Sequence, residues 1–398
     1  MEPPISNKPS NLGSPFGGQG ASFEGHGVVI IGGGLAGLAL SIQLAKAAYK
    51  VILFEKERYP FHKVCGEYIS LESWNFIEQL GLPLSKMNLP IIKKLIVSSP
   101  DGKKIESNLD LGGVGISRYM LDYELSKIAR QNGVEIFEET KVNDIVFEND
   151  VFTISTSAIT VKSKIVAGTF GKRSNIDVKW ARNFIKQKSS RLNNYIGVKY
   201  HVQTAFASET IALHNFKNGY CGISRIEDDK YCLCYLTTAE NLKANNNSIS
   251  AMEKNVLQKN PYLKKIFSSS TFLYQSPVTI SQISFDKKSQ VQNHVLLIGD
   301  AAGMITPLCG NGMSMALHAS KIAFEKIDRF LNNQITREQM EDQYRIEWNK
   351  NFANRLQMGR IIQSLFGKVW ITNVFIRIIK YFPFLTRRLI SSTHGKPF

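Results

Sequence analysis

The chain has 398 residues, of which 43% are hydrophobic and 21% are charged, a composition ordinary for a globular protein with more than one structural unit. Its 49 basic and 33 acidic residues leave a net charge of +16, which suits acidic lipid surfaces, anionic ligands or nucleic acid. No uncharged apolar run is long enough for a membrane-spanning helix, and the scattered cysteines indicate neither a disulfide framework nor a metal site. We therefore expect a cytoplasmic protein without a bound metal.

Residues 1–26 are rich in proline, glycine, serine and asparagine and lack the apolar segment of a signal peptide, so we predict a disordered tail. The stretch that follows, VVIIGGGLAGLALSIQLAKAAYKVILFEK, predicts a strand, a helix over residues 35–48 and a second strand. Gly32 permits a tight turn, Gly34 lets a pyrophosphate approach the backbone, and Gly37 lets the helix pack on the strand.

The same stretch offers two kinds of group to a dinucleotide. The free amides of Leu35 and Ala36 at the start of the helix suit the phosphates. Glu55 ends the second strand, where a carboxylate accepts hydrogen bonds from ribose hydroxyls. Lys56 beside it and Val142 further along are candidate cofactor contacts. This stretch alone does not separate NAD from FAD.

The remaining chain predicts a divided nucleotide domain. A helical pattern that starts at Arg118 ends near Gly133, and several strands follow. Residues 195–237 predict an antiparallel sheet. After it, a strand, a glycine loop and a long helix repeat the strand–loop–helix pattern of the nucleotide domain. We predict an FAD- or NAD-type domain of residues 27–82, 114–176 and 290–335, a substrate domain of residues 83–113 and 177–289, and a C-terminal helical segment of residues 336–398.

The segment LLIGDAAGMITPLCGNGMSMAL carries Gly299 and Asp300 after an apolar strand, then a proline and a second pair of glycines. With it the sequence resembles the superfamily of FAD-dependent geranylgeranyl reductases and aromatic hydroxylases, which shares the fold of para-hydroxybenzoate hydroxylase. The resemblance implies an α/β fold with a Rossmann-like FAD-binding domain, an inserted antiparallel β-sheet substrate domain and a C-terminal helical segment. It also implies that Asp300 binds the ribityl chain of FAD, while Gly312 and Met313 turn backbone amides toward the flavin ring.

Two further segments are similar to the same family. CGEYIS resembles the Cys-Gly-Glu segment of geranylgeranyl reductases, which lies beside the flavin and makes Cys65 a candidate catalytic residue. As a free cysteine, Cys65 fits equally well a small buried hydrophobic position. SRYMLDYELSKIARQNG resembles the Arg-x-x-x-Asp-x-x-Leu helix whose arginine approaches the cofactor, here Arg118 with Asp122.

The sequence also departs from the family. Phe170 stands where the family has an aspartate implicated in FAD and nicotinamide binding, which argues against direct reduction by NADPH. Gly222 and Arg225 replace the tryptophan and proline of the reductase signature that follows Tyr220, and the Trp-x-Trp-x-Ile-Pro string of flavin halogenases does not occur. No second dinucleotide unit is found, so we expect a transient electron donor, either NAD(P)H or a redox protein.

The sequence thus predicts an FAD-dependent oxidoreductase that acts on a small hydrophobic substrate, whether isoprenoid, lipid or polyketide-like aromatic, by alkene reduction or by hydroxylation. The alternative is a non-catalytic flavin-binding or redox-sensing protein, which the loss of the aspartate at Phe170 supports. Nucleic acid is not an expected partner, because the basic residues come without a nucleic-acid-binding module. Each histidine is expected to be structural or to lie on the surface.

The C-terminal segment concentrates the positive charge, since no acidic residue follows Glu347. In KVWITNVFIRIIKYFPFLTRRL the polar residues form one stripe of a predicted helix that Pro383 ends or kinks, and the stripe consists of Lys368, Asn373, Arg377 and Lys380. The rest of the helix is a wide apolar face. Two interpretations stay open: the helix packs on the protein body, or it makes peripheral contact with the inner face of a membrane.

Overall fold

The computed structural model describes residues 22–186, 194–306, 310–365, 368–381 and 395–398. In chain order, the strands are β1 Ser22–Ile31, β2 Val51–Phe54, β3 Tyr68–Ser70, β4 Ile91–Ser98, β5 Lys104–Gly115, β6 Glu135–Phe137, β7 Asp144–Glu148, β8 Val151–Ser155, β9 Thr160–Gly168, β10 Tyr195–Gln203, β11 Thr210–Phe216, β12 Gly219–Arg225, β13 Tyr231–Thr238, β14 Thr271–Phe272, β15 Val278–Ile283, β16 Val291–Gln292 and β17 Val295–Leu297.

The α-helices are α1 Leu35–Lys46, α2 Trp74–Leu80, α3 Arg118–Gln131, α4 Asn175–Lys179, α5 Asn183–Lys186, α6 Ala239–Lys243, α7 Ile249–Asn255, α8 Pro261–Ser269, α9 Gly312–Leu331, α10 Arg337–Leu365 and α11 Val369–Lys380. Short 3₁₀ turns occur at Leu71–Ser73, Leu84–Lys86, Leu257–Lys259 and Gly299–Ala301.

The first sheet is built around apolar strands that are buried on both faces. Its strand order is β16-β17-β9-β1-β2-β6, and β7 and β8 extend it antiparallel from β9. β1 pairs in parallel with β2 and β9, and all residues of β2 are buried. Such continuous apolar strands are typical of a parallel sheet that helices cover. The carboxyl ends of β1 and β17 therefore face the same edge of this sheet.

The second sheet is mainly antiparallel and has the order β14-β10-β13-β12-β11-β4-β5-β3, with β15 on the far side of β10. The pair β4 and β11 is the parallel exception within this sheet. β3 hydrogen-bonds with β5, and the end of β5 leads directly into α3 of the nucleotide half. The β3–β5 pair thus connects the second sheet to the nucleotide half, with Cys65 shortly before β3 and Arg118 shortly after β5.

Helices cover the first sheet and continue into the C-terminal segment. α1 is buried along almost its whole length and packs against α3 and α9. α10 turns a stripe with a four-residue spacing inward: Met340, Tyr344, Trp348, Phe352 and Leu356. The Tyr344 hydroxyl donates to the carbonyl of Leu297 at 2.7 Å, so α10 is fixed to the strand that leads to Asp300.

These features confirm the predicted fold class, including the unit of β1, α1 and β2 and the helix that begins at Arg118. One boundary differs, because β1 begins at Ser22 and so includes the last five residues of the predicted tail. Pro307, in the predicted glycine-rich turn, and Pro383, the predicted helix stop, lie outside the described residues. Among the helices that the structure describes, none combines the length and hydropathy needed to cross a membrane.

Candidate cofactor and active site

The turn after β1 is shaped by contacts that only glycine allows. Gly32 has a φ of +110°, and a Cβ there would lie 2.5 Å from the carbonyl oxygen of Thr169. A Cβ on Gly37 would collide with the carbonyl of Gly32, so the first turn of α1 packs directly on the strand end. At Gly34, by contrast, a Cβ would meet only Arg118 Nη2 at 3.6 Å and Lys63 Nζ at 3.8 Å. The backbone at Gly34 thus faces two cations.

These two cations are held in place by one carboxylate. Arg118 donates from Nε and Nη2 to the two oxygens of Asp122, at 2.8 and 2.7 Å, and Lys63 Nζ donates to Asp122 at 2.9 Å. Burial alone would raise the pKa of Asp122, but Arg118 and Lys63 lower it below its usual value. Burial would likewise lower the pKa of Arg118, and Asp122 raises it instead. The Arg118 guanidinium therefore stays charged beside Gly34.

A pyrophosphate fits this cradle. No side chain caps the N-terminus of α1, so the first amides of the helix are available to an anion. α9 likewise begins without a side-chain cap, next to Gly312 and the buried Met313. Two uncapped helix starts and a pair of cations match the charge distribution of a dinucleotide, with one helix for the phosphates and the other for the ring that accepts electrons.

Glu55 shapes the same loop. Its Oε2 accepts from the Gly33 amide at 2.8 Å and its Oε1 accepts from the Glu57 amide at 3.0 Å, while the side chain is 5% exposed. Tyr59, which belongs to none of the recognised motifs, donates its hydroxyl to the Gly33 carbonyl. Each carboxylate oxygen keeps a second lone pair for a ribose hydroxyl. Lys56 points to solvent, with a 68% exposed side chain paired to Glu57.

Asp300 lies across the cleft from α1. Gly299 has a φ of +65°, and a Cβ on it would lie 3.3 Å from the Cβ of Ala36. Gly299, Asp300, Gly312, Met315 and Trp348 line one small cleft. The approach of Gly299 to Ala36 places this cleft next to the first glycine segment, although more than 260 residues separate the two. Desolvation raises the pKa of Asp300, and Lys288, Arg118 and Lys172 oppose this rise. Burial also disfavours the charged form of the two lysines, and it lowers the pKa values of Lys288 and Lys172 to about 8.

Val142 lies in a different environment. Its side chain is buried in the core, and its carbonyl accepts from Asn175 Nδ2 at 2.9 Å. The structure brings several of the predicted cofactor contacts near one another: Gly34 faces Arg118, Glu55 accepts from the Gly33 amide, and Gly299 approaches Ala36. For Lys56 and Val142 it adds no contact that points to a ligand. The role of every predicted site residue in cofactor binding stays a prediction.

Cys65 opens a loop that carries a fully buried carboxylate. The Cys65 thiol is half-buried, and burial raises its pKa. Two residues later, Glu67 is 0% exposed and accepts from Lys199 Nζ at 2.6 Å, from His201 Nε2 at 2.6 Å and from the Arg118 amide at 2.9 Å. Burial alone would raise the pKa of Glu67, but His201 and Lys199 together lower it. The carboxylate is therefore charged although it is buried.

A hydrogen-bonded chain leads from this carboxylate toward the surface. His201 Nδ1 lies 2.7 Å from the Tyr274 hydroxyl, which in turn lies 3.1 Å from His62 Nδ1. His62 stacks on Tyr119 with ring centroids 4.5 Å apart. Burial, followed by the charge of Lys199, lowers the pKa of His62 to about 4. We call Glu67, Lys199, His201, Tyr274 and His62 the Glu67 network.

Sequence reasoning gave no role to the partners of Glu67, and two signals could have found them. Lys199 and His201 are two residues apart in an otherwise apolar strand, which places both side chains on one face of β10. A lysine that is fully buried in a strand needs a carboxylate partner. Their distance in sequence from Glu67, 132 and 134 residues, left that partner unidentified.

Comparison with known proteins agrees with this geometry. A family model described as an FAD binding domain matches residues 26–358, and the chain belongs to this family. The chain is 23% identical over 365 residues to conditioned medium factor receptor 1 of Dictyostelium discoideum, which covers 85% of this chain and 70% of the receptor. It is 22% identical over 359 residues to the digeranylgeranylglycerophospholipid reductase of Methanococcus vannielii, which covers 86% of this chain and 88% of the reductase.

Solved structures show the same fold. A geranylgeranyl bacteriochlorophyll reductase-like protein from Thermoplasma acidophilum has a TM-score of 0.74 at 16% identity, covering 89% of this chain and 91% of that protein. The flavin-dependent halogenase CmlS has a TM-score of 0.73 at 20% identity, and this chain spans only 63% of its length. The protein is thus an FAD-dependent oxidoreductase with geranylgeranyl reductase-like and halogenase-like structural neighbours.

Proposed function

We propose that this FAD-dependent oxidoreductase saturates carbon–carbon double bonds in a hydrophobic substrate of the isoprenoid or lipid type. A relative named digeranylgeranylglycerophospholipid reductase covers most of both chains, and the segment from Cys65 resembles the reductases. The observation that carries the proposal is the Glu67 network, which adjoins Cys65 and the cofactor-facing Arg118. Alkene saturation needs a proton as well as a hydride, and this network is suited to supply one.

The cofactor-binding roles follow from the cradle. Arg118, Lys63 and the first amides of α1 would hold the pyrophosphate, Glu55 would hold the adenosine ribose, and Asp300 with the start of α9 would hold the flavin end. When bound and reduced, FAD would supply the hydride, with NAD(P)H or a redox protein as its transient electron source. The remaining task of the chain is to place the substrate and to deliver the proton.

Tyr274 is the proposed proton donor. In this proposal His201 Nε2 donates to Glu67, and His201 Nδ1 accepts from the Tyr274 hydroxyl. Burial, followed by the charge of Glu67, raises the pKa of Tyr274, so the hydroxyl keeps its proton at neutral pH. After Tyr274 gives this proton to a substrate carbon, half-buried His62 can take up a solvent proton on one ring nitrogen and return the proton of the other to Tyr274.

Glu67 and Lys199 act as positioning residues in this proposal. Glu67 fixes the tautomer and orientation of His201, since it accepts from Nε2 and leaves Nδ1 for Tyr274. Lys199 neutralises the buried charge of Glu67 at 2.6 Å. Because Arg118 donates its backbone amide to the same carboxylate, the network has a fixed place relative to the phosphate cradle.

The test is a product analysis with FAD-loaded protein, a chemical reductant and isoprenoid lipids of known unsaturation. We expect each turnover to add two hydrogen atoms, seen by mass spectrometry. Tyr274→Phe is expected to slow turnover by about a hundredfold with FAD still bound. Tyr123→Phe, a change at a half-exposed tyrosine on α3, is the matched control and should leave the rate unchanged.

Two results would contradict the proposal. A product that gains one oxygen atom would assign the protein to hydroxylation. A flavin-loaded protein that turns over no substrate with any donor would favour the redox-sensing alternative. Phe170 supports that alternative, because its ring packs where a Cβ on Gly168 would lie 2.7 Å away, and no carboxylate is available there for a nicotinamide.

A further inference from the structure

The helix α11 divides its apolar residues between two faces. Ile376 is 1% exposed and joins the apolar cluster of Val97, Tyr195, Leu213 and Phe285 on the second sheet. On the opposite side of the helix, a continuous row points to solvent: Trp370, Val374, Ile378 and Tyr381, which are 76%, 37%, 51% and 75% exposed. Their spacing of four, four and three residues places them on one stripe, which we call the outer stripe.

This division bears on the two interpretations of the C-terminal helix, which were packing on the protein body and contact with a membrane. The predicted single apolar face is split, because Ile376 packs on the protein body while Trp370 and Ile378 remain in water. Packing on the body therefore accounts for only one side of α11. Large aromatic and aliphatic side chains in an exposed row on one helix mark an interaction surface.

The charge around the outer stripe is positive. Arg377 is exposed on α11 and Lys368 is exposed immediately before it, and neither forms an ion pair with a described residue. From residue 348 to the end, the sequence has nine basic and no acidic residues. An apolar and aromatic stripe with a basic rim matches a surface with anionic headgroups above an apolar interior.

We propose that the outer stripe of α11 docks the protein on an anionic lipid surface. A second copy of the chain is a poorer occupant, because two such stripes facing each other would bring basic residues together without acidic partners. The buried side of α11 contacts the same apolar cluster as Met304, which follows Asp300 by four residues. Docking through α11 therefore places the lipid surface against the outer side of a helix whose inner side packs on the same cluster as the loop after Asp300.

The experiment is flotation of the FAD-loaded full-length chain with vesicles of phosphatidylcholine, with and without phosphatidylglycerol. We expect co-flotation with the anionic vesicles only, weakened by salt, and a blue shift of tryptophan fluorescence because Trp370 is exposed before binding. Trp370→Ser with Ile378→Ser should lower vesicle partitioning by about tenfold or more. The matched control is Ile346→Ser on α10, which removes a 67% exposed apolar side chain and should leave flotation unchanged.

Arg377→Gln separates the charge contribution from the apolar one. We expect it to weaken binding by a fewfold and to reduce the salt dependence, while Lys141→Gln at an exposed site elsewhere has no effect. Because flavin content reports folding and lipid binding is measured without turnover, this test is independent of the proposed reaction. Full-length protein that stays at the bottom, variants that float as well as the parent, or a dimer that Trp370→Ser dissociates would each overturn the proposal.

Discussion

Replacing Glu67 with glutamine should be among the most destabilising single changes in the molecule. Glu67 and Lys199 are both 0% exposed and lie 2.6 Å apart, so the substitution leaves a buried ammonium without its counter-ion. The glutamine also turns its amide N–H group toward either His201 or Lys199, each of which contacts a carboxylate oxygen in the parent protein. Breaking a buried ion pair from one side costs about 3–5 kcal/mol. That is a large share of the roughly 5–15 kcal/mol that stabilises an ordinary protein.

The measurement is the free energy of unfolding from urea titration, with the slope checked for constancy. Adding Lys199→Met to Glu67→Gln removes both charges, and the double variant should recover about 1–3 kcal/mol relative to the sum of the single changes. Glu209→Gln breaks the exposed pair with Lys94 and is the control, which should leave the midpoint unchanged. A loss below about 1 kcal/mol for Glu67→Gln, or strict additivity in the double variant, would refute the assignment of a charged buried pair.

The pH dependence gives a second test of the same pair. The native pKa of Glu67 is lowered, because the effect of its cationic partners exceeds that of burial. Its stabilising contribution is therefore complete above the unfolded pKa of about 4.3 and is lost as the pH falls through the lower native value. Glu67→Gln should flatten the acid limb of the stability curve, whereas the parent should lose stability there.

Three further predictions concern the cofactor cleft. Gly34→Ala should weaken FAD binding without loss of stability, because the added Cβ meets only the flexible ends of Arg118 and Lys63. Gly37→Ala should destabilise the fold, because its Cβ collides with the Gly32 carbonyl. Flavin titration and thermal unfolding separate the two outcomes. Lys63→Met should raise the dissociation constant of FAD about tenfold, the effect of one lost charge-assisted hydrogen bond, and Lys50→Met should not. Asp300→Asn should lose FAD affinity yet unfold no more easily than the parent. Desolvation raises the pKa of Asp300, so ionisation of Asp300 lowers native stability as the pH rises through that pKa. Lower stability of the flavin-free variant at pH 8 would contradict this.

The sequence was informative where chemistry depends on neighbours in the chain. Gly32, Gly34 and Gly37 share one turn, and Glu55 ends the adjacent strand, so their spacing alone locates the dinucleotide loop. Asp300 was found through a second local motif. The Glu67 network was missed because its members come from three separate segments of the chain, and a lysine inside a strand does not by itself indicate which carboxylate it pairs with. Local patterns predict turns and helix starts well, whereas buried charge pairs depend on which strands become neighbours.

The start of α3 connects the two halves of the site, and this determines how a change in one half affects the other. The Arg118 side chain faces the phosphate cradle, while its backbone amide donates to Glu67 at 2.9 Å. Ser117 caps the same helix through the Met120 amide, and its own amide donates to Glu227 in the turn between β12 and β13 of the second sheet. A rigid helix start that touches both sheets cannot shift toward an anion without moving relative to Glu67. FAD binding should therefore order the Glu67 network as well as the glycine loop, so the proposed proton delivery would depend on cofactor binding through Arg118.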